Sequence, residues 1–199
     1  MNPSVTERER KIIDLLSEST AMPVSRMSDI LNVSSVTIRA DLKALEQKGY
    51  ILRFRGGAAP AFHPAILGRQ REMADQKARI ARAAAALVAD GDTVMIEAGT
   101  TTALIARYLL GRRDVRIVTN STLVVPYART NSGLQLTVVG GEFRPASESM
   151  VGPVALAELE RFHVRLAFVG TDGFSLEGGL TTHLVEGAEI VRRMAKAAD

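Results

Sequence analysis

The sequence predicts an α/β protein in two parts: a small unit of three short helices with a β-wing, then a larger unit built on a parallel sheet. Two observations carry this. The stretch "NVSSVTIRADLKALEQKGYILRFRGG" (Asn32 to Gly57) places a capped amphipathic helix ahead of a basic extended segment that ends in two glycines. From about Gln76 onward, apolar strands alternate with helices at the spacing of βαβ units. A chain of 199 residues has room for a small domain followed by a medium one.

In the small unit, Ser4 or Thr6 caps the first helix, with Glu7 and Glu9 completing alternative capping boxes. Ile12, Ile13, Leu15 and Leu16 give that helix its apolar side. Pro23 breaks the chain, and a second helix from about Ser25 is expected to bury Met27, Ile30 and Leu31. "NVS" makes a tight turn. Ser34 or Ser35 then caps a third helix that runs to about Lys48 and stops at Gly49. "YILRFRGGA" continues as the wing. The unit is expected to span residues 5–60, with the helix-turn-helix at 22–41, and 61–75 reads as a linker because its prolines and glycine carry no periodicity.

The second unit, 76–199, opens with a helix whose apolar side is read as Ile80, Ala84, Leu87 and Val88. The strand "TVMIE" follows, then "AGTTT" and a helix through Leu110, then the strand "VRIVT" and a short helix. The strand "LQLTVV" ends at "GG". A helix near Val154 to Arg161, the strand "RLAFVG" and a helix from about Glu186 complete the pattern.

Composition excludes several classes. The chain is 46% apolar and 24% charged, as in an ordinary globular protein. It has no cysteine, so neither a disulfide framework nor a thiolate metal site is available, which fits a cytoplasmic location. "MNPSVTERERKIIDLL" is charged where a signal peptide is apolar, and no apolar run approaches membrane-spanning length. The three histidines have no metal-ligand spacing, so neither metal nor cofactor is expected. The net charge of +3 is modest, but from Arg39 to Gly57 five basic residues (Arg39, Lys43, Lys48, Arg53, Arg55) face two acidic ones (Asp41, Glu46).

On a helix of about 100° per residue, Ile38, Leu42 and Leu45 share the core side. Val36, Thr37, Ala40 and Lys43 lie opposite, flanked by Ser35 and Arg39 near the N-terminal end. Small and hydrogen-bonding residues there suit a helix laid in a DNA major groove, where bulk would hold the backbone off the bases. Arg39 is the candidate for a bidentate guanine contact, worth about 1–3 kcal/mol of discrimination. Lys43, Arg53 and Arg55 are candidates for phosphate contacts. The alternative is that Arg39 and Lys43 simply form the solvated face of a surface helix.

The segment resembles the N-terminal domain of the DeoR family of bacterial transcriptional regulators. The family's mark is V-S-x-x-T-I-R-R-D-L, then L-E-x-x-G, a short basic segment and G-G-A. Here it stands as Val33-Ser34, Thr37-Ile38-Arg39-Ala40-Asp41-Leu42, Leu45-Glu46, Gly49, Arg53, Arg55 and Gly56-Gly57-Ala58. Ala40 replaces the second arginine of the family's pair, leaving Arg39 and the wing to supply charge.

Each strand of the second unit ends in a small polar loop: "EAGTTT", "TNS", "VGGEFR" and "GTDGFSLEGGLTTH". In a parallel sheet these lie on one edge, where open α/β folds bind ligands. In "AGTTT", backbone N–H groups and hydroxyls converge at a helix N-terminus, an arrangement suited to phosphate, although ordinary helix capping explains each loop equally. The loop has no Gly-Lys-Ser/Thr ending, so it is not a Walker loop. This region resembles the DeoR effector domain, similar in fold to the ribose-phosphate isomerases. The family's D-x-G-T-T is Glu97-Ala98-Gly99-Thr100-Thr101, with glutamate for aspartate. T-N is Thr119-Asn120, G-G is Gly140-Gly141, G-x-D-G is Gly170 to Gly173, and G-L-T-T is Gly179 to Thr182. The resemblance implies a phosphorylated sugar or sugar derivative in a pocket lined by Gly99, Thr100, Thr101, Asn120, Gly140 and Gly173. Family members usually continue beyond the helix near Ala198 with another strand, a D-x-S-K segment and more sheet. The chain stops at Asp199, so either it is truncated or part of the sheet is completed elsewhere.

The expected activity is therefore binding rather than catalysis. A homo-oligomer would bind a double-stranded DNA operator and repress a sugar-metabolism operon under control of a phosphorylated sugar. The alternatives are a truncated fragment that binds DNA without sensing, and a sugar-phosphate isomerase. Isomerisation needs a base beside the sugar carbons and a cation or acid at the oxyanion. Glu97, Glu142, Asp172, Glu177 and Glu186 offer carboxylates, but no lysine lies between Ala78 and Ala195. His183 is the only histidine near the pocket and reads either as a loop residue or as a ligand contact; His63 and His163 read as structural or solvated.

Overall fold

The computed structural model describes residues 5–19 and 21–199, and the chain divides into two compact units, Met1–Leu67 and Gly68–Asp199. Ser4, the alternative cap for the first helix, lies outside the described residues. In the first unit, Thr6 caps α1 (Glu7–Ser17) in a reciprocal capping box: its hydroxyl accepts from Glu9 N at 3.2 Å, and Glu9 Oε2 accepts from Thr6 N at 2.6 Å. After β1 (Met22–Pro23) come α2 (Val24–Leu31) and α3 (Ser35–Gln47). The wing is the hairpin of β2 (Ile51–Phe54) and β3 (Gly57–Pro60), and β1 adds to it in the order β1-β3-β2. That third strand was not foreseen. Pro23 fits on it because β1 is an edge strand, where a missing N–H is tolerated.

Ile12, Ile13, Leu16, Met27, Ile38, Leu42, Leu45 and Ile51 form the core of this unit. Ile30 was expected inside but is 50% exposed. Val24 and Met27 are buried and Leu31 packs against the same core, which completes an i, i+3, i+7 face and leaves Ile30 at its margin. The stretch expected to be a linker is largely helical: α4 (Pro64–Arg71) runs through it and α5 (Ala74–Ala86) begins within it. Leu67 on α4 is buried against the core of the first unit, and His63 Nδ1 accepts from Ala65 N at 3.2 Å to start the helix.

In the second unit, β4 (Thr93–Ile96), α6 (Ala103–Tyr108), β5 (Val115–Thr119), α7 (Val125–Arg129) and β6 (Leu134–Val138) follow α5. A hairpin, β7 (Glu142–Arg144) and β8 (Ser149–Val151), leads to α8 (Pro153–Leu159) and β9 (Leu166–Phe168). A second hairpin, β10 (Gly173–Ser175) and β11 (Gly179–Thr181), precedes α9 (Val185–Lys196). The main sheet is parallel throughout, in the order β6-β5-β4-β9. β7, β10 and β11 fall in stretches expected to be plain loops, and β8 lies in a stretch with no expected element.

On one face of the sheet, Met95 and Val118 pack with Ala155 and Leu159 of α8 and Ile190 and Met194 of α9. Val94, Ile96 and Ile117 alternate to the other face and are also fully buried. α5 turns differently from the expected apolar side. Ile80 and Leu87 are 58% and 60% exposed, while Ala81, Ala85 and Val88 are buried. Alanines let α5 approach α6 closely, so the small residues, and not the large ones, face inward.

Candidate functional site

The turn between α2 and α3 depends on Asn32 in a left-handed conformation (φ 52°, ψ 46°) and on Val33 N, which donates to Ser28 O at 3.2 Å. Ser34 then caps α3: its hydroxyl accepts from Thr37 N at 3.1 Å and lies 2.9 Å from Thr37 Oγ1. Of the expected DNA contacts, Ser35 and Thr37 are half-buried in the first turn of α3, and Arg39 and Lys43 are exposed along it. The Thr37 hydroxyl is therefore partly engaged in the cap. Arg55 is exposed in the hairpin turn beside Gly56, whose φ of 94° suits a glycine. Gly57 is required for a different reason: a Cβ there would lie 2.5 Å from Met22 O and 2.9 Å from the Phe54 ring.

The acidic residues among these cations are all paired. Arg8 grips Asp41 with two bonds, Nε to Oδ2 at 2.6 Å and Nη2 to Oδ1 at 3.0 Å. Arg53 pairs with Glu46 at 3.4 Å, so its charge is partly answered within the domain. Lys48 is engaged with the buried Glu9 carboxylate. Among the described residues, no carboxylate pairs with Arg39, Lys43 or Arg55, which leaves three uncompensated cations on α3 and the wing.

The second site lies at the carboxyl edge of the main sheet. Ile96, Thr119, Val138 and Phe168 are in register across it, so the loops that follow them converge. Gly99, Thr100 and Thr101 leave β4, Asn120 leaves β5 and Gly140 leaves β6. Gly173 begins the β10–β11 hairpin beyond β9, where a Cβ would meet Thr181 Oγ1 at 2.8 Å.

Several of these groups are already engaged. The Asn120 side chain is buried; its Oδ1 accepts from Ala98 N at 2.9 Å and its Nδ2 donates to Met150 O at 3.1 Å. Gly140 N donates to Glu158 Oε2 of α8 at 2.6 Å. The Thr102 hydroxyl donates to Glu97 O at 2.7 Å and turns the chain into α6. Thr100 and Thr101 remain half-buried at the rim of this turn.

Three carboxylates organise the edge: Glu97 and Asp172, which the sequence offered only as candidate bases, and Glu158, which it did not mark. Glu97 accepts from Gly170 N at 3.1 Å and ties β4 to the end of β9. Burial, with a smaller push from Asp172, raises its carboxyl to about 7 against the Gly170 hydrogen bond. Burial would also raise Asp172, but hydrogen bonds from Thr182 Oγ1 (2.8 Å) and His183 N (3.2 Å), with the His183 ring at 2.6 Å, hold it below its ordinary value. His183 is exposed and acts on Asp172. Glu158 completes the set. Only Glu97 and Asp172 had a sequence signal, each standing beside a strand-end glycine motif.

Among the described residues no group of three or more acidic or histidine side chains is placed to hold a metal, and no helix is long and apolar enough to cross a membrane. An open depression of about 500 Å³, lined by Leu110 to Asp114 and Thr130 to Gly133, lies at the opposite edge of the sheet, where β5 and β6 begin.

Comparison with known proteins agrees with both halves. Residues 8–61 match a DeoR-like helix-turn-helix domain and residues 72–199 match a DeoR C terminal sensor domain. The HTH-type transcriptional regulator GlpR of Haloferax volcanii is 35% identical, the match covering 96% of this chain and 76% of that protein. The HTH-type transcriptional repressor GlcR of Bacillus subtilis is 32% identical, covering 96% and 75%. Among solved structures, an O-methyltransferase family protein from Burkholderia thailandensis aligns over 96% of this chain and 70% of its own at 11% identity, with a TM-score of only 0.34. With a recognition-type helix and basic wing in one matched region and a parallel-sheet sensor domain in the other, the chain belongs to the DeoR family of transcriptional regulators.

Proposed function

We propose that this chain binds a double-stranded DNA operator as a homo-oligomer and represses a sugar-metabolism operon, with its hold on DNA controlled by a phosphorylated sugar. The observation that carries the DNA reading is the charge on α3 and the wing. Asp41 and Glu46 are neutralised by Arg8 and Arg53, while Arg39, Lys43 and Arg55 have no acidic partner among the described residues. Arg39 reads a guanine edge, and Lys43 and Arg55 hold phosphates. Ser35, Thr37 and Arg53 are secondary contacts.

The convergence of the four strand ends supports the sensing role. Gly99, Thr100 and Thr101 would receive the phosphate at the turn into α6, with Gly140 and Gly173 allowing close approach. Asn120 would hold the floor of the pocket. The sugar alters DNA affinity to the extent that it binds one arrangement of the oligomer better than another. The test is to titrate a panel of sugar phosphates into the purified protein while following melting temperature and operator binding. A sugar phosphate that raises the melting temperature and changes operator affinity is the expected result. Turnover of the sugar would overturn the assignment, and no response to a broad panel would leave a DNA-binding protein that does not sense.

A further inference from the structure

The outward stripe of α3 includes an apolar residue with no role in the contacts assigned above. Val36 is 73% exposed in the first turn of the helix, and Ala40 is exposed one turn further on, with Arg39 beside it and Lys43 beyond. A β-branched residue weakens a helix slightly, and on the surface it gains nothing from burial in the free protein. Its value lies in its stiffness: with χ1 restricted, both methyl groups point in a fixed direction and little freedom is lost on contact. The neighbouring uncompensated cations identify the surface that covers it as polyanionic. The base edges of a major groove offer one apolar feature, the C5-methyl group of thymine.

We propose that Val36 is a specificity residue that packs against a thymine methyl group in the base pairs adjoining the guanine read by Arg39. Ala40, one turn along the same stripe, leaves the helix backbone free to come close enough for that contact. The proposal rests on α3 being the DNA-reading helix, and it predicts a thymine-dependent step in each half-site that no hydrogen-bonding residue supplies.

The experiment starts from an operator fragment selected with the full chain. Each thymine of a half-site is replaced in turn by deoxyuridine, which removes the methyl group and leaves the hydrogen-bonding edge intact. At one thymine near the Arg39 contact, affinity should fall by about three- to fivefold, the value of one buried methyl group. Val36→Ala should bind the thymine and uracil fragments equally, and Val36→Ile should keep the discrimination. An unchanged melting temperature in both variants ensures that the fold is intact. If uracil is tolerated at every position while Arg39→Ala still abolishes specific binding, the Val36 assignment fails and the reading helix stands. If Arg39→Ala and Lys43→Ala both leave binding unchanged, the reading helix itself is wrong.

Discussion

Lys48 places its Nζ 2.8 Å from each carboxylate oxygen of Glu9, joining the end of α3 to the start of α1 with both side chains largely buried. Burial alone would raise the Glu9 carboxyl, but Lys48 and the Thr6 N–H outweigh it and hold it below its ordinary value. Lys48→Met leaves that carboxylate buried without its cation and should destabilise the first unit by about 3 kcal/mol in denaturant unfolding. Glu9→Gln combined with Lys48→Met should recover a large part of the loss. Because the folded-state value is depressed, Glu9 stabilises the fold above the ordinary carboxylate range and loses that contribution as pH falls through the lowered value. A Lys48→Met variant as stable as the wild type would show that this pair is not a strut of the domain.

The uncompensated cations give a graded set of DNA-binding outcomes. Arg39→Ala should reduce operator affinity far more than affinity for unrelated DNA, since base contacts carry sequence information. Lys43→Ala and Arg55→Ala should weaken all sequences alike and lower the salt slope of log K by about one each. Arg53→Ala should have a smaller effect because Arg53 already pairs with Glu46. Competition binding at several salt concentrations separates the cases. Equal losses on both kinds of DNA would make Arg39 a phosphate contact.

What was legible in the sequence was local. The Thr6–Glu9 capping box, the Ser34 cap and the stop at Gly49 depend on residues three or four apart, and each is present. The central strands β4 and β5 show as largely apolar runs because both of their faces are covered. The inward face of α5 is not the one its large residues mark: Ile80 and Leu87 are exposed, and Ala81 and Ala85 face inward through close helix packing. The hairpins β7–β8 and β10–β11 are three-residue strands among glycines and polar residues, too short to show alternation. The engagement of Asn120, Glu158 and Glu97 was hidden because their partners lie 18 to 73 residues away.

Asn120 tests whether the sensor edge is held by its own side chains. Asn120→Ala leaves Ala98 N and Met150 O without this partner in a partly buried setting, which should cost about 1–2 kcal/mol. Asn120→Asp keeps the acceptor for Ala98 but turns an oxygen toward Met150 O, so it should also be destabilised. Thermal unfolding of the two variants checks this. Loss of sugar-phosphate affinity with no change in melting temperature would instead make Asn120 a ligand contact.

Glu97 sets the expected pH response of the same edge. Its carboxyl is raised from an ordinary value of 4.5 to about 7, chiefly by burial. The neutral form is favoured in the folded state, so the stability it contributes is full below about pH 4.5 and is lost as pH rises toward and through 7. The difference corresponds to a stability change on the order of 3 kcal/mol across that window. Glu97→Gln keeps an acceptor for Gly170 N without a charge, so it should be more stable than the wild type at pH 8 and similar to it near pH 4.5. A phosphate held near Gly99 to Thr101 would disfavour the ionised carboxylate further, so sugar-phosphate binding should take up protons near neutral pH. Calorimetric titration in buffers of different ionisation enthalpy measures that uptake. Glu97→Gln should take up about one proton fewer than the wild type at most, while remaining able to bind. A wild-type stability that is flat between pH 5 and 8, with Glu97→Gln superimposed on it, would mean that the carboxylate is solvated and does not couple to the fold.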